Sequence, residues 1–201
     1  MLNQIRPALV MVVLLTILTG LAYPLAMTGL GQALFPDQAN GSLVRRADGS
    51  VLGSSLIGQA FTRDRYFHTR PSATVDTDPN DPAKTVPSPD NAANSAGSNL
   101  GPTSQALADR VKADVAALAA QGVTNPPADM VTTSASGLDP DISPANAEAQ
   151  VARVAAARNL PPDQVRQAVQ AATSGRLLGL IGEPRVNVLR LNMALDGLET
   201  P

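Results

Sequence analysis

Few residues in this chain have the type and spacing to do chemistry, and His68 heads them. It is the single imidazole among 201 residues and is followed by Thr69-Arg70-Pro71. A hydrolase built on it would need a neighbouring nucleophile and an orienting carboxylate. No Gly-x-Ser-x-Gly elbow is present, and a lone His beside an aromatic such as Phe67 is ordinarily a structural residue. No catalytic residue is assigned. A second candidate is Leu138-Asp139-Pro140-Asp141-Ile142-Ser143-Pro144, where two carboxylates two residues apart could offer oxygens to a cation. Calcium-loop spacing is absent and Asp before Pro commonly forms a turn, so no metal ligand is assigned. A third is Ser95-Ala96-Gly97-Ser98-Asn99-Leu100-Gly101-Pro102, whose amides and hydroxyls could cradle an anion. It lacks a Walker Lys and a strand-to-helix glycine pattern, so a plain structured turn outweighs the phosphate reading.

Composition narrows the classes further. With no Cys there is no disulfide framework, thiolate metal site or cysteine nucleophile. Fifteen basic against 17 acidic residues, with Lys84 and Lys112 the only lysines, oppose a sequence-independent nucleic-acid binder. The five aromatics cannot build a stacking platform for single strands.

The elements that must position these residues begin with an uncharged run from Pro7 to Pro36. As a helix it would reach about 45 Å, enough to cross a hydrocarbon core of about 30 Å. Its Leu, Val and Ile content favours insertion by roughly 4–7 kcal/mol before Gly, Pro and Gln are subtracted. Residues 7–36 are read as a transmembrane helix after a cytoplasmic stub, 1–6. A cleaved signal peptide and a buried core helix compete with that reading; the run is long for either. Thr16 to Gly20 and Ala22 to Ala26 place small residues four apart, a spacing that allows close helix packing in lipid, although such residues are also ordinary membrane composition. The short stub bearing Arg6 and the long following segment orient the N-terminus inside and residues 37–201 outside.

Residues 37–201 read as one α+β domain with three to four helices, a short hairpin and a long loop. Asp48-Gly49 between Leu43-Val44 and Val51-Leu52 predicts a hairpin with Gly at positive φ. Phe61, Tyr66 and Phe67 are expected core anchors. The stretch 69–102, rich in Pro, Ser and Asn, is expected to be loop. A helix should follow Pro102, capped by Thr103 or Ser104, with Leu107, Val111, Val115 and Leu118 on one face and a stop at Gly122. Ser143-Pro144 starts another, with Ala147, Val151, Val154, Ala155 and Arg158 along its stripe. A third runs from about Pro162 to Ala172, burying Val165, Ala168, Val169 and Ala172. Alternation of Val186, Val188 and Arg190 suggests a strand leading into a short helix at about 193–198. Gln150 and Arg153, three apart on the helix begun at Ser143, share a side beside the apolar stripe. A solvated polar face and a partner contact both remain open, and substitutions there are expected to leave the domain folded.

Several motifs in order carry a resemblance over nearly the whole chain. They are Gly58-Gln59-Ala60-Phe61, Tyr66-Phe67-His68-Thr69-Arg70-Pro71-Ser72, the Ser95–Pro102 stretch, Val131-Thr132-Thr133-Ser134-Ala135-Ser136-Gly137-Leu138-Asp139-Pro140, Ile142-Ser143-Pro144, Gln150-Val151-Ala152-Arg153-Val154-Ala155 and Arg185-Val186-Asn187-Val188-Leu189. With the N-terminal apolar helix, they resemble the KdpC family, the C subunit of the Kdp high-affinity potassium-transporting P-type ATPase. Asp141 stands where many members carry His, and Ala96 where many carry Gly. The resemblance implies a non-catalytic accessory subunit of the bacterial inner membrane. Its partners would be a channel-like potassium-selecting subunit, a P-type ATPase subunit and the lipid bilayer, with no nucleic acid. It would aid assembly and raise the pump's affinity for ATP, with no cofactor of its own. Gln150 is the suggested nucleotide contact, with Arg153 beside it. Tyr66, Phe67, Arg70, Pro71, Ser98, Asn99, Gly101, Gly137, Leu138, Asp139, Pro140 and Asn187 are the expected motif and interaction residues. Direct contact with cytoplasmic ATP conflicts with an external domain, and the orientation takes precedence. A membrane-anchored envelope hydrolase using His68 and a ligand-binding module are the alternatives.

Overall fold

A computed structural model describes residues 2–46 and 48–197, which form two units divided after Leu43. In the first, α1 (Ile5–Ile17) passes through a π turn at Leu18–Ala22 into α2 (Tyr23–Leu34), followed by a single turn, α3 (Pro36–Ala39). Pro24 accounts for the π turn. It has no N–H for the Gly20 carbonyl and its ring crowds that group, so the preceding turn widens and the Tyr23 N–H reaches back five residues to Leu18 O. Thr19 Oγ1 donates to Leu15 O at 2.7 Å across the same stretch. The continuous helix Ile5–Leu34 is long and apolar enough to cross a membrane, and 0% of its apolar window is buried. A core helix would be mostly buried, so that reading is withdrawn.

β1 (Leu43–Arg45), which begins at the division, and β2 (Val51–Ser54) form the expected hairpin. Gly49 has φ +84°, and the Ser50 N–H donates to Asp48 Oδ1 at 2.8 Å. The stretch 69–102 is not loop throughout. It contains β3 (Val75–Asp78) and β4 (Asp81–Pro87), paired antiparallel from Val75↔Pro87 to Thr77↔Thr85, with a register shift before Asp78↔Asp81. A two-stranded ribbon has only edge strands, so Pro82 at the shift and Pro87 at the end are accommodated.

Helix α4 (Gln105–Ala120) follows Ser104, whose side chain makes no capping bond, and precedes Gly122 at φ +88°. Its stripe is less covered than expected: Leu107, Val111 and Leu118 are half-buried, Val115 is exposed and no residue is fully buried. A single turn, α5 (Ala128–Val131), and β5 (Asp141–Ile142) lead to α6 (Pro144–Arg158), α7 (Pro162–Ala172), β6 (Thr173–Ser174), β7 (Arg185–Asn187) and α8 (Val188–Leu195). The α+β class holds.

Local chemistry explains each boundary of α6. Ser143 Oγ accepts from the Asn146 N–H at 3.0 Å, Pro144 occupies the first turn, and Asn159 closes the helix in the left-handed region at φ 55°. Asp129 on α5 fixes this start. Its carboxylate accepts from the Ser143 N–H (2.8 Å), Ser143 Oγ (2.9 Å) and Asn146 Nδ2 (3.0 Å). Ser143→Ala is expected to cost about 1 kcal/mol, read as a lower denaturation midpoint with unchanged slope.

The core joins Phe67, Ile142, Ala147, Val151, Val154, Ala155, Val165, Val169, Val186, Val188 and Leu191. A smaller cluster holds Val44, Leu189 and Met193, with Leu52 and Phe61 against it. Val186 sits at the centre of the sheet, order β5-β7-β6, opposite both Ile142 and Thr173. The strand expected through 190 ends at Asn187, because Asn187 Oδ1 accepts the Arg190 N–H at 3.1 Å and starts α8 instead. The burial of Val188, Leu189 and Leu191 then follows a helical pattern, not an alternating one. Leu198, the expected end of that helix, lies outside the described residues.

Candidate functional site: a backbone clamp under the Tyr66–Ser72 motif

The motif residues converge on the segment 61–72, which is fixed to α6 and α8 by side-chain amides. Phe67 places its ring in the core at 0% exposure. Asn192 on α8 accepts the Phe67 N–H at 2.8 Å and donates to Phe67 O at 3.0 Å. Gln150 on α6 does the same one residue on, accepting the His68 N–H at 2.8 Å and donating to His68 O at 3.1 Å. Two carboxamides thus satisfy four main-chain groups of consecutive residues, as neighbouring strands would. Gln150 also donates to Asn146 Oδ1 at 2.7 Å.

Arg153 completes the clamp. One Nη donates to Asp64 O (2.7 Å) and Tyr66 O (3.0 Å), the other to Gln150 Oε1 (2.6 Å). Burial, opposed by the Asp64 charge, holds its pKa below the ordinary value. The solvated-face reading therefore does not describe Gln150, which is 5% exposed. The expectation that substitution leaves the domain folded is corrected for the same reason. Below the clamp, Asp196 gathers Arg65 (3.1 Å), Arg158 (2.8 Å) and the Tyr66 hydroxyl (3.0 Å), and both guanidiniums lie over the Tyr66 ring. Phe61 meets Tyr66 at 5.4 Å between ring centroids.

A second group of contacts ties the other motifs together. Arg70 pairs with Asp139 at 2.8 Å, and the Ser134 N–H donates to Pro71 O at 3.0 Å. Ser72 Oγ donates to Gly137 O at 2.8 Å, and Ser98 and Thr133 hydroxyls meet at 3.1 Å. The Gly58 N–H donates to Leu138 O (2.8 Å) and the Val188 N–H to Pro140 O (3.0 Å). Gly137, at φ +70°, has room for no side chain: a Cβ would lie 2.4 Å from Thr74 Cγ2 and 2.6 Å from Ala96 O. Asn99 adopts φ 50°, and Gly101 O accepts the Ser104 N–H. Asn187 Nδ2 donates to Ser55 O (3.0 Å) and Asp141 Oδ1 (3.1 Å). Asp90 lies at the edge of this group, accepting from Thr69 Oγ1 at 3.0 Å; burial pushes its carboxyl above the usual range.

The chemistry available here is limited. Asp139 and Asp141, once weighed as cation ligands, are each paired with an arginine, Asp141 with Arg185 at 3.0 Å. Among the described residues no three His, Cys, Asp or Glu gather at metal-binding distance. The Ala96 N–H and Ser95 Oγ bond Ser136 O, so this stretch is a structured turn. His68 Nε2 faces Arg63 O at 3.3 Å and an Arg153 Nη at 3.4 Å. Thr16, Gly20, Ala22 and Ala26 lie in the first unit, exposed, with Gly20 and Ala22 inside the π turn.

Burial, then the Arg153 charge, lowers the His68 pKa below 6.5. The unfolded chain therefore binds a proton first as pH falls, and stability present above about pH 6.5 is lost as pH drops towards the folded pKa. His68→Gln is expected to remove that slope while leaving stability at pH 7.5 within about 1 kcal/mol. Denaturation of the detergent-solubilised chain at pH 7.5 and 5.0 measures both.

Asn192, Asn146, Asp129 and Asp196 escape sequence reading. The available signal was a polar residue inside an apolar helical stripe, Asn146 next to Ala147 and Asn192 between Leu191 and Met193.

One apolar helix long enough to cross a membrane, followed by an α+β domain whose motif residues hold its own backbone, is the class of protein that the described residues define. Residues 5–197 match the family described as the c chain of the K+-transporting ATPase, and the chain belongs to this family, KdpC. Relatives named potassium-transporting ATPase KdpC subunit include that of Bradyrhizobium diazoefficiens, 64% identical over 200 residues, and that of Methylobacterium nodulans, 66% identical over 199, each alignment covering 98% of both chains. The Methylorubrum extorquens protein of the same name is 64% identical over 199 residues, again 98% of both chains.

Proposed function

We propose that this chain is the membrane-anchored, non-catalytic accessory subunit of an ATP-driven high-affinity potassium uptake pump, acting in assembly and stability of the complex. The observation that carries the reading is the clamp on Phe67 and His68. The Gln150 and Asn192 amides hold the main chain of Phe67 and His68, and the His68 imidazole lies against Arg63 O, which supports a structural role for these motif residues. Family membership supplies the pump. The partners are the channel-like potassium-selecting subunit and the P-type ATPase subunit, which hydrolyses the ATP. Ile5–Leu34 is the single inner-membrane span, with the N-terminus in the cytoplasm and the domain outside.

An effect on ATP affinity is, in this reading, indirect. Gln150 has both ends of its carboxamide occupied within the domain, which leaves it little capacity for a nucleotide. Ala135→Cys, at an exposed position, should react with a membrane-impermeant thiol reagent once the outer membrane is permeable. Reaction only after the inner membrane is broken would reverse the orientation. Deleting the chain from cells that make the other subunits should abolish potassium-stimulated ATP hydrolysis in their membranes, and supplying it should restore the activity. Undiminished hydrolysis without the chain would overturn the proposal.

A further inference from the structure

The edge of the His68 ring meets the arginine of the clamp in an arrangement that a proton would upset. Nε2 lies 3.4 Å from an Arg153 Nη and 3.3 Å from Arg63 O. A neutral ring can turn an Nε2 lone pair to Arg153 or an Nε2–H to Arg63 O, and either tautomer leaves the guanidinium beside an uncharged group. An imidazolium carries a hydrogen on both nitrogens. At Nε2 it can only donate, so Arg63 O gains a charge-assisted bond while Arg153 loses any acceptor there and meets a like charge.

The main chain beneath the ring is fixed on both sides. Gln150 holds the His68 N–H and C=O, and Asn192 holds those of Phe67. The Arg153 side chain is the freer party, and its bonds run to Asp64 O, Tyr66 O and Gln150 Oε1. Displacing it releases two carbonyls of the turn 63–66, which is closed by the Tyr66 N–H donating to Arg63 O at 3.0 Å. Other ties to the turn do not pass through Arg153. Arg158 Nε donates to Arg65 O at 2.6 Å, and Asp196 binds Arg65 and the Tyr66 hydroxyl. The turn would therefore loosen on its α6 side without leaving the domain.

The charges that act on the ring come from two places. Helix α6 supplies Arg153, and the segment itself supplies Asp64, whose carboxylate favours the imidazolium. Helix α8 reaches this stretch through the neutral Asn192, with Asp196 beyond it on Arg65 and Tyr66. Burial first, then the Arg153 charge, outweigh the Arg63 carbonyl and Asp64, so the ring holds a proton less readily than a free imidazole. We infer that His68 and Arg153 form an acid-operated latch on the Arg63–Tyr66 turn, closed while the imidazole is neutral and opened when a proton on Nε2 drives the guanidinium from Asp64 O and Tyr66 O. Such an opening is local, confined to one turn while α7 and the core stay folded, and so is distinct from the loss of overall stability in acid described above. Which compartment's acidity works the latch follows from the orientation proposed above; the latch itself does not.

The test uses the detergent-solubilised full chain. Its single imidazole gives one titrating ring signal by NMR, and amide exchange, corrected for its intrinsic pH dependence, reads the turn at the Tyr66 N–H and α7 at Val165 and Val169. As pH falls through the ring's midpoint, protection at Tyr66 should drop about tenfold further than protection in α7, following the ring's own titration curve. His68→Gln should abolish that difference. Asp64→Asn, at an exposed position, removes the charge that favours the imidazolium, so the ring midpoint and the opening should move together to lower pH. Arg153→Met should raise the midpoint and leave Tyr66 poorly protected at every pH; should that variant fail to fold, Asp64→Asn decides. Equal losses at Tyr66 and in α7, a Tyr66 response that persists in His68→Gln, or an Asp64→Asn chain whose ring titration moves without the opening would each overturn the latch.

Discussion

Gln150→Leu is expected to destabilise the domain by about 2–4 kcal/mol, because it orphans the His68 N–H and C=O together and removes one of the three acceptors of Arg153. The loss should show as a lower denaturation midpoint of the detergent-solubilised chain with little change in slope. If Gln150 served nucleotide instead, the midpoint would be unchanged and only the KM for ATP of the assembled pump would rise. Gln150→Glu sharpens the distinction. A carboxylate still accepts from the His68 N–H and Arg153 but cannot donate to His68 O or Asn146 Oδ1, so it should fall between wild type and Leu. Equal midpoints for all three would remove the clamp as a structural device.

Phe67→Ala carries the other large effect, about 3–5 kcal/mol. The ring is fully buried in the main core, clustered with residues of α6 and α8 such as Val151, Val154, Val188 and Leu191. It also sits one peptide from the Gln150 contact, so a cavity there loosens the segment that Asn192 and Gln150 hold. Against a total stability of about 5–15 kcal/mol, such a loss leaves a sizeable unfolded fraction at growth temperature. Immunoblots of membranes should show the variant chain several-fold depleted, with co-purified pump subunits falling in proportion. A variant at wild-type level and midpoint would contradict the enclosure of the ring.

These effects also show which parts of the molecule are written locally. The β1–β2 hairpin was legible because Asp48 and Gly49 encode their own turn, and α6 because Ser143, Pro144 and the 147/151/154/155 stripe agree with one another. Phe67 stood out as one of few aromatics. The β3–β4 ribbon was hidden by prolines that an edge strand tolerates, and β5 and β6, two residues each, are too short for any periodicity. The end of β7 was missed because Asn187 can close a strand or start a helix, and only its bond to the Arg190 N–H decides. Least legible was the clamp. Gln150 and His68 are 82 residues apart, and Asn192 and Phe67 125 apart, so nothing local distinguishes these amides from solvated ones.

As an accessory subunit, this chain should travel with a potassium pump. The most direct measurement is affinity purification of the full chain in mild detergent from cells grown on limiting potassium, followed by identification of the associated chains. The expected result is the channel-like and P-type ATPase subunits in stoichiometric amounts, with potassium-stimulated ATP hydrolysis in the same fraction. A chain that elutes alone, or with envelope proteins unrelated to potassium transport, would rule out the accessory-subunit role.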